Sequence, residues 1–126
     1  MQKVNREPKT PCLVEATLGV IGGRWKAAVL FQLSSGTKRF GQLRKLLPNV
    51  TQRMLTLQLR ELEADGLVER TVYAEVPPRV EYTITPWGES LAPVLRAMCE
   101  WGERYRRRLD SLARANEPAA AEEHAP

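Results

Sequence analysis

Histidine is nearly missing from this chain. Its 126 residues include one, His124, set in an acidic tail, and only two cysteines, Cys12 and Cys99, far apart in sequence. No metal-ligand cluster can be assembled from that set, so no metal and no cofactor are expected. A Ser-His or Cys-His catalytic arrangement would have to recruit its base from a frayed terminus. No glycine-rich phosphate loop is present. No apolar run approaches the roughly 20 residues of a membrane span, and the charged stretch Met1–Arg6 has no apolar region behind it. Enzyme chemistry is therefore poorly supplied. A non-enzymatic binding protein of the cytoplasm, without membrane contact, is expected.

What is present is the balance of a soluble globular protein, with 43% hydrophobic and 27% charged residues and enough length for one domain. The 19 Lys and Arg outnumber the 15 Asp and Glu, for a net charge of +4. The segment from Glu117 to Pro126 holds three Glu and no Lys or Arg, so the rest of the chain is more basic than the total. A small basic domain favours a polyanionic partner such as nucleic acid.

Residues 1–11, with Pro8 and Pro11, read as an arm. The spacing predicts a short helix over 13–20, broken by Gly22-Gly23, and a second over 25–33, where Trp25, Ala28, Val29 and Leu33 share a face. Ser34-Ser35-Gly36 ends it, and residues 37–39 are extended. A third helix covers 40–47 and stops at Pro48-Asn49. Thr51, an N-cap residue, opens a fourth, with Leu55, Leu59 and Leu62 on one stripe and Asp65-Gly66 at its end. Two helices joined this way have the size and punctuation of a helix-turn-helix. The period then shortens. Residues 68–76 read as a strand, Pro77-Pro78 as a turn, and Val80, Tyr82 and Ile84 as the returning strand, with Tyr82 in the core. Thr85 caps and Pro86 opens a long last helix running from about Trp87 to Ala115. Residues 116–126, rich in Ala and Glu, read as a disordered tail. The fold class is mainly α with a small β-hairpin.

If the leucine stripe of the fourth helix faces inward, Arg53, Leu57 and Arg60 face outward, with Thr56 beside them. Arginines on that stripe can reach phosphates or guanine edges in a major groove, and Gln52 can read adenine or hold backbone. Thr51 and the first N–H groups of the helix can meet a phosphate. Leu57 can touch a thymine methyl or belong to a satellite of the core. A solvated face of a small bundle would look much the same. The hairpin shifts the balance, because a helix-turn-helix followed by a two-stranded wing with Arg79 at its tip can fill a major groove and reach the neighbouring minor groove.

The stretch from Cys12 to about Tyr105 resembles the HxlR family of bacterial transcriptional regulators. The matching pieces are Cys12-Leu13-Val14-Glu15, Ile21-Gly22-Gly23-Arg24-Trp25, Arg39-Phe40-Gly41-Gln42-Leu43, Met54-Leu55-Thr56, Leu59-Arg60-Glu61-Leu62-Glu63, Asp65-Gly66-Leu67-Val68, Pro77-Pro78-Arg79-Val80-Glu81-Tyr82 and Leu95 to Trp101, in order and at the family's spacing. The resemblance implies a MarR-like winged helix-turn-helix over residues 12–115, with N- and C-terminal dimerisation helices. It also implies a homodimeric repressor or activator that binds a pseudo-palindromic double-stranded operator, with repression as the expected sign. The implied DNA contacts are Gln42, Thr51, Gln52, Arg53, Thr56, Leu57, Arg60 and Arg79. Two departures stand out: Leu13 follows Cys12 where the family commonly has Pro, and Leu57 replaces a commonly polar residue.

The last helix carries an apolar surplus for self-association, and Leu91, Leu95, Met98, Trp101 and Tyr105 are assigned to the dimer interface. Cys99, beside that stripe, is expected to be buried. Cys12 precedes the first helix, where the helix dipole favours a thiolate. The resemblance implies a sensor of oxidants or electrophiles there. A regulator answering to a small-molecule inducer without thiol chemistry, and a winged-helix module that docks proteins, are the alternatives.

Overall fold

The computed structural model describes residues 13–116. Its elements in chain order are α1 (Leu13–Ile21), α2 (Lys26–Leu33), β1 (Lys38–Arg39), α3 (Phe40–Leu46), α4 (Gln52–Ala64), β2 (Val68–Tyr73), β3 (Arg79–Ile84), α5 (Pro86–Glu89) and α6 (Ala92–Ala115). They divide between two compact units, residues 1–92 and residues 93–126. The arm over 1–11, Cys12 and the tail from residue 117 fall outside the described residues.

The first unit is a winged helix. Its core is built from Val29, Leu30 and Leu33 of α2, Leu43 of α3, Leu55, Leu59 and Leu62 of α4, and Val68, Tyr82 and Ile84 of the sheet, all buried. The leucine stripe of α4 therefore faces inward, as its four-three spacing requires. The turn between α3 and α4 is pinned from inside by buried Leu47 and Val50, and the Val50 N–H donates to the Leu47 carbonyl at 3.2 Å.

The end of α4 is fixed by backbone geometry. Gly66 sits at φ +77°, the left-handed region that a side chain disfavours. From there the Gly66 N–H donates to the Glu63 carbonyl and the Leu67 N–H reaches back to the Leu62 carbonyl, each at 3.0 Å, a Schellman closure. Thr85 ties this corner together. Its hydroxyl donates to the Gly66 carbonyl at 2.6 Å and accepts from the Gly88 N–H at 3.0 Å, while its own N–H donates to the Leu67 carbonyl at 3.0 Å. Gly88 has to be glycine, because a Cβ there would lie 2.3 Å from the Leu67 carbonyl oxygen.

The sheet has three antiparallel strands in the order β1-β3-β2, one more than the hairpin expected from the sequence. The extended piece before α3 supplies the extra strand, pairing Lys38 with Tyr82 and Arg39 with Glu81. The wing pairs Val68 with Ile84, Arg70 with Tyr82 and Tyr73 with Arg79. β2 ends at Tyr73, short of the expected Val76, which is fully exposed in the connecting loop. Apolar alternation beyond Tyr73 has no core to face, so it does not extend the ladder.

The single long last helix expected from the sequence is in fact two. Thr85 and Pro86 do begin a helix, but α5 closes at Glu89, with the Ser90 hydroxyl donating to the Trp87 carbonyl. Pro93 explains the break: it has no N–H to give the Glu89 carbonyl, and its ring would crowd that carbonyl in a continuous helix. Leu91, expected on the last helix, lies in the intervening turn.

In the second unit, α6 buries Leu95 and leaves every residue from Arg96 onward exposed. Met98, Trp101, Tyr105, Leu109 and Leu112 all show large apolar surfaces, and the Trp101 and Tyr105 rings stack with centroids 5.5 Å apart. Cys99 is a free, exposed thiol, contrary to the burial expected of it. The stripe beside it is itself uncovered, so proximity to apolar residues brings Cys99 no shelter.

Candidate nucleic-acid interface

The outer face of α4 starts from a well-made cap. Thr51 is extended, and its hydroxyl accepts the Met54 N–H at 3.1 Å, which satisfies one of the orphan donors of the first turn. The Thr56 hydroxyl donates back to the Gln52 carbonyl at 2.9 Å. Beyond these local bonds the face is open. A shallow depression on it is lined by Thr51, Gln52, Arg53, Met54, Thr56, Leu57 and Arg60, two arginines with no acidic residue among them. Among the described residues neither Arg53 nor Arg60 forms an ion pair, and both are exposed. Seven residues apart on a helix, they sit two turns or about 10.5 Å from each other along its axis. Leu57 lies between them and is 44% exposed, so it belongs to the outer face and not to a satellite of the core.

Met54 is a member of this face that sequence reasoning missed. It stands one turn before Leu57, is 37% exposed, and its sulfur accepts from the Gln58 amide at 3.3 Å. The signal was available, since positions 54 and 57 are three apart.

What holds α4 in place was also missed. Lys26, on α2, is one of the buried residues of the unit, and its ammonium meets the Glu61 carboxylate at 2.6 Å. A lysine removed from water needs such a partner. The pair fixes α4 to the scaffold along one flank, between its inward leucines and its outward arginines.

The remaining assigned contacts fare differently. Gln42 is exposed on α3, but its side-chain oxygen accepts the Arg39 N–H at 2.8 Å and so serves as a helix cap. Arg79 stands at the base of the wing-tip loop, in the last pair of the ladder, but it is not free there. It opens β3 with its guanidinium 4.0 Å above the Tyr73 ring, 3.6 Å from the Glu75 carboxylate and 3.6 Å from that of Glu81. Arg70, on β2, has its guanidinium 3.9 Å from the carboxylate of Glu63. Tyr82 is buried as expected. Desolvation raises its phenol above the ordinary tyrosine range, with Glu63 adding to the rise while Arg70 and Arg60 oppose it.

Residues 20–110 match the HxlR-like helix-turn-helix family. A Bacillus subtilis protein, the uncharacterized HTH-type transcriptional regulator YdeP, is 56% identical over 104 residues, covering 82% of this chain and 81% of that one. Among solved structures, the redox regulator HypR in its reduced form is 54% identical with a TM-score of 0.74, covering 79% of this chain and 99% of that one. The reduced form of the transcriptional regulator YodB from B. subtilis is 34% identical with a TM-score of 0.65, covering 78% and 95%. The open basic helix on a helix-turn-helix frame, the wing beside it and these likenesses agree: the chain belongs to the HxlR-like helix-turn-helix family of transcriptional regulators.

Proposed function

We propose that this regulator is a cytoplasmic homodimer that binds a specific pseudo-palindromic DNA operator, acts as a repressor, and answers to oxidants or electrophiles through Cys12. The observation that carries the DNA-binding part is the outer face of α4, with two exposed arginines and no acidic residue along its lining. Arg53 and Arg60 meet guanine edges or phosphates, Gln52 and Thr56 add polar contacts, and Leu57 and Met54 supply apolar surface for thymine methyls. Thr51 and the N–H groups after it face a phosphate.

The homodimer rests on the apolar stripe of α6, where Met98, Trp101 and Tyr105 each leave about half or more of their surface exposed, at 47%, 60% and 49%. Such a stripe is the mark of an interaction site. Exposed Leu13, Val14 and Leu18 on α1 add a second apolar surface of the same kind. Sensing rests on the relatives: HypR is a redox regulator solved in oxidized and reduced forms, and YodB has been solved reduced and after diamide treatment. Because Cys99 is a free, exposed thiol, the test separates the two cysteines.

The test is selection of bound fragments from genomic DNA with and without diamide, on the wild type, Cys12→Ser and Cys99→Ser. Enrichment of a palindromic sequence, lost with diamide in the wild type and Cys99→Ser but retained in Cys12→Ser, is the expected result. Absence of any enriched sequence overturns the DNA-binding reading. An equal diamide response in Cys12→Ser overturns the sensor.

A further inference from the structure

Arg79 is held on three sides by its own hairpin. The register sets Tyr73 directly across from it as the outermost pair of the wing, and the guanidinium lies on that ring at 4.0 Å. Glu75 reaches one terminal nitrogen and Glu81 the other, each at 3.6 Å. The guanidinium Nε is buried without a hydrogen-bond partner, and the side chain as a whole is 28% exposed. Two carboxylates face this one guanidinium, and with Arg39, which lines the same depression, the acids and cations here balance. In this arrangement the wing therefore offers a passing phosphate no uncompensated positive charge.

The contacts are nevertheless loose ones. At 3.6 Å each ion pair is longer than a charge-assisted hydrogen bond, and Glu75 is 52% exposed. Glu81 also has a second cation in register, since Arg39 of β1 stands opposite it in the sheet. Release of Arg79 would not leave Glu81 without a positive neighbour.

We infer that Glu75 and Glu81 latch Arg79 away from DNA, so that the wing sets affinity by a competition between two carboxylates and a phosphate for one guanidinium. This rests on the DNA-binding reading of α4. It assigns the wing arginine a tuning role in place of a standing contact.

The test is a set of four proteins titrated with a labelled mixed-sequence duplex over a range of NaCl concentrations: wild type, Arg79→Gln, Glu75→Gln/Glu81→Gln, and the triple variant. Glutamine keeps the aliphatic stem of residue 79 over Tyr73, and thermal melts verify that all four fold. Arg79→Gln is expected to bind within about twofold of wild type with an unchanged salt slope. Glu75→Gln/Glu81→Gln is expected to gain one phosphate contact, steepening the slope by about one and tightening binding on the order of eightfold near 0.1 M salt. The triple variant returns to the wild-type value. A gain that survives in the triple variant is mere relief of repulsion and overturns the latch. A shallower slope in Arg79→Gln alone means that Arg79 already contacts DNA, and also overturns it. If wild type binds and the double variant gains nothing, the latch fails while the α4 reading stands; if none of the four binds, the α4 reading itself fails.

Discussion

The outer face of α4 and the wing carry the same kind of residue in opposite electrostatic condition. On α4, Arg53 and Arg60 stand in the open with no acidic residue along the lining between them. On the wing, Arg79 is stacked on Tyr73 and bracketed by Glu75 and Glu81. Counting arginines treats the two regions alike. What separates them is the reach of the backbone. A helix spreads residues 53 and 60 over two turns, and its inward stripe holds the apolar side chains. A hairpin brings residues 73, 75, 79 and 81 to one end of one ladder, where a guanidinium meets whatever acids share that end.

The contrast can be broken first at its foundation. Glu61→Ala removes the partner of buried Lys26 and strands its charge, so it is expected to destabilise the fold by roughly 2–4 kcal/mol, read by denaturant unfolding. A loss near zero would mean that Lys26 swings out to water and that α4 is held by its leucines alone. On the open face, Arg53→Ala and Arg60→Ala are each expected to cost about 1–3 kcal/mol of operator affinity if they read a base, or to lower the salt slope by about one if they hold a phosphate. Stability should barely change, and two variants that bind like wild type would put the interface elsewhere. Thr51→Ala removes the cap of the same helix, with an expected cost of about 0.5–2 kcal/mol in unfolding free energy; an unaltered midpoint would show that the first turn is satisfied without the hydroxyl.

The smallest effect is at the foot of the wing. Burial raises the Tyr82 phenol above its usual range. The folded state then keeps the proton at a pH where the unfolded chain has lost it, so this contribution is fully present below about pH 10 and fades as pH rises through the folded value. Melting temperature should fall more steeply above that pH in wild type than in Tyr82→Phe. Parallel curves would mean that the phenol ionises inside the fold as easily as outside.

Most of α4 was legible because its determinants are local. The leucines at 55, 59 and 62, the Thr51 cap and the Gly66 closure each act within a turn or two of chain, and the structure has them in those roles. Tyr82 was legible for the same kind of reason, an aromatic at alternating spacing in the returning strand. The last helix was not read correctly. Its apolar rhythm continues through residues 87–95, and that rhythm masks the effect of Pro93 on the Glu89 carbonyl. Cys99 was misread because a helical stripe was taken to imply a cover, and among the described residues none reaches it. The Lys26–Glu61 pair joins residues 35 positions apart, beyond any local pattern.

The amino-acid order alone determined the element types, the inward leucines and the outward arginines of α4, since those follow from helical period, capping chemistry and turn residues acting over a few bonds. The tertiary structure alone decided which charges are spent. Whether Arg79 is open or latched, whether Lys26 is solvated or paired, and whether the extended piece at 38–39 joins a sheet depend on what the fold brings within a few ångströms, and Coulomb and hydrogen-bond energies are set by that separation and by the exclusion of water.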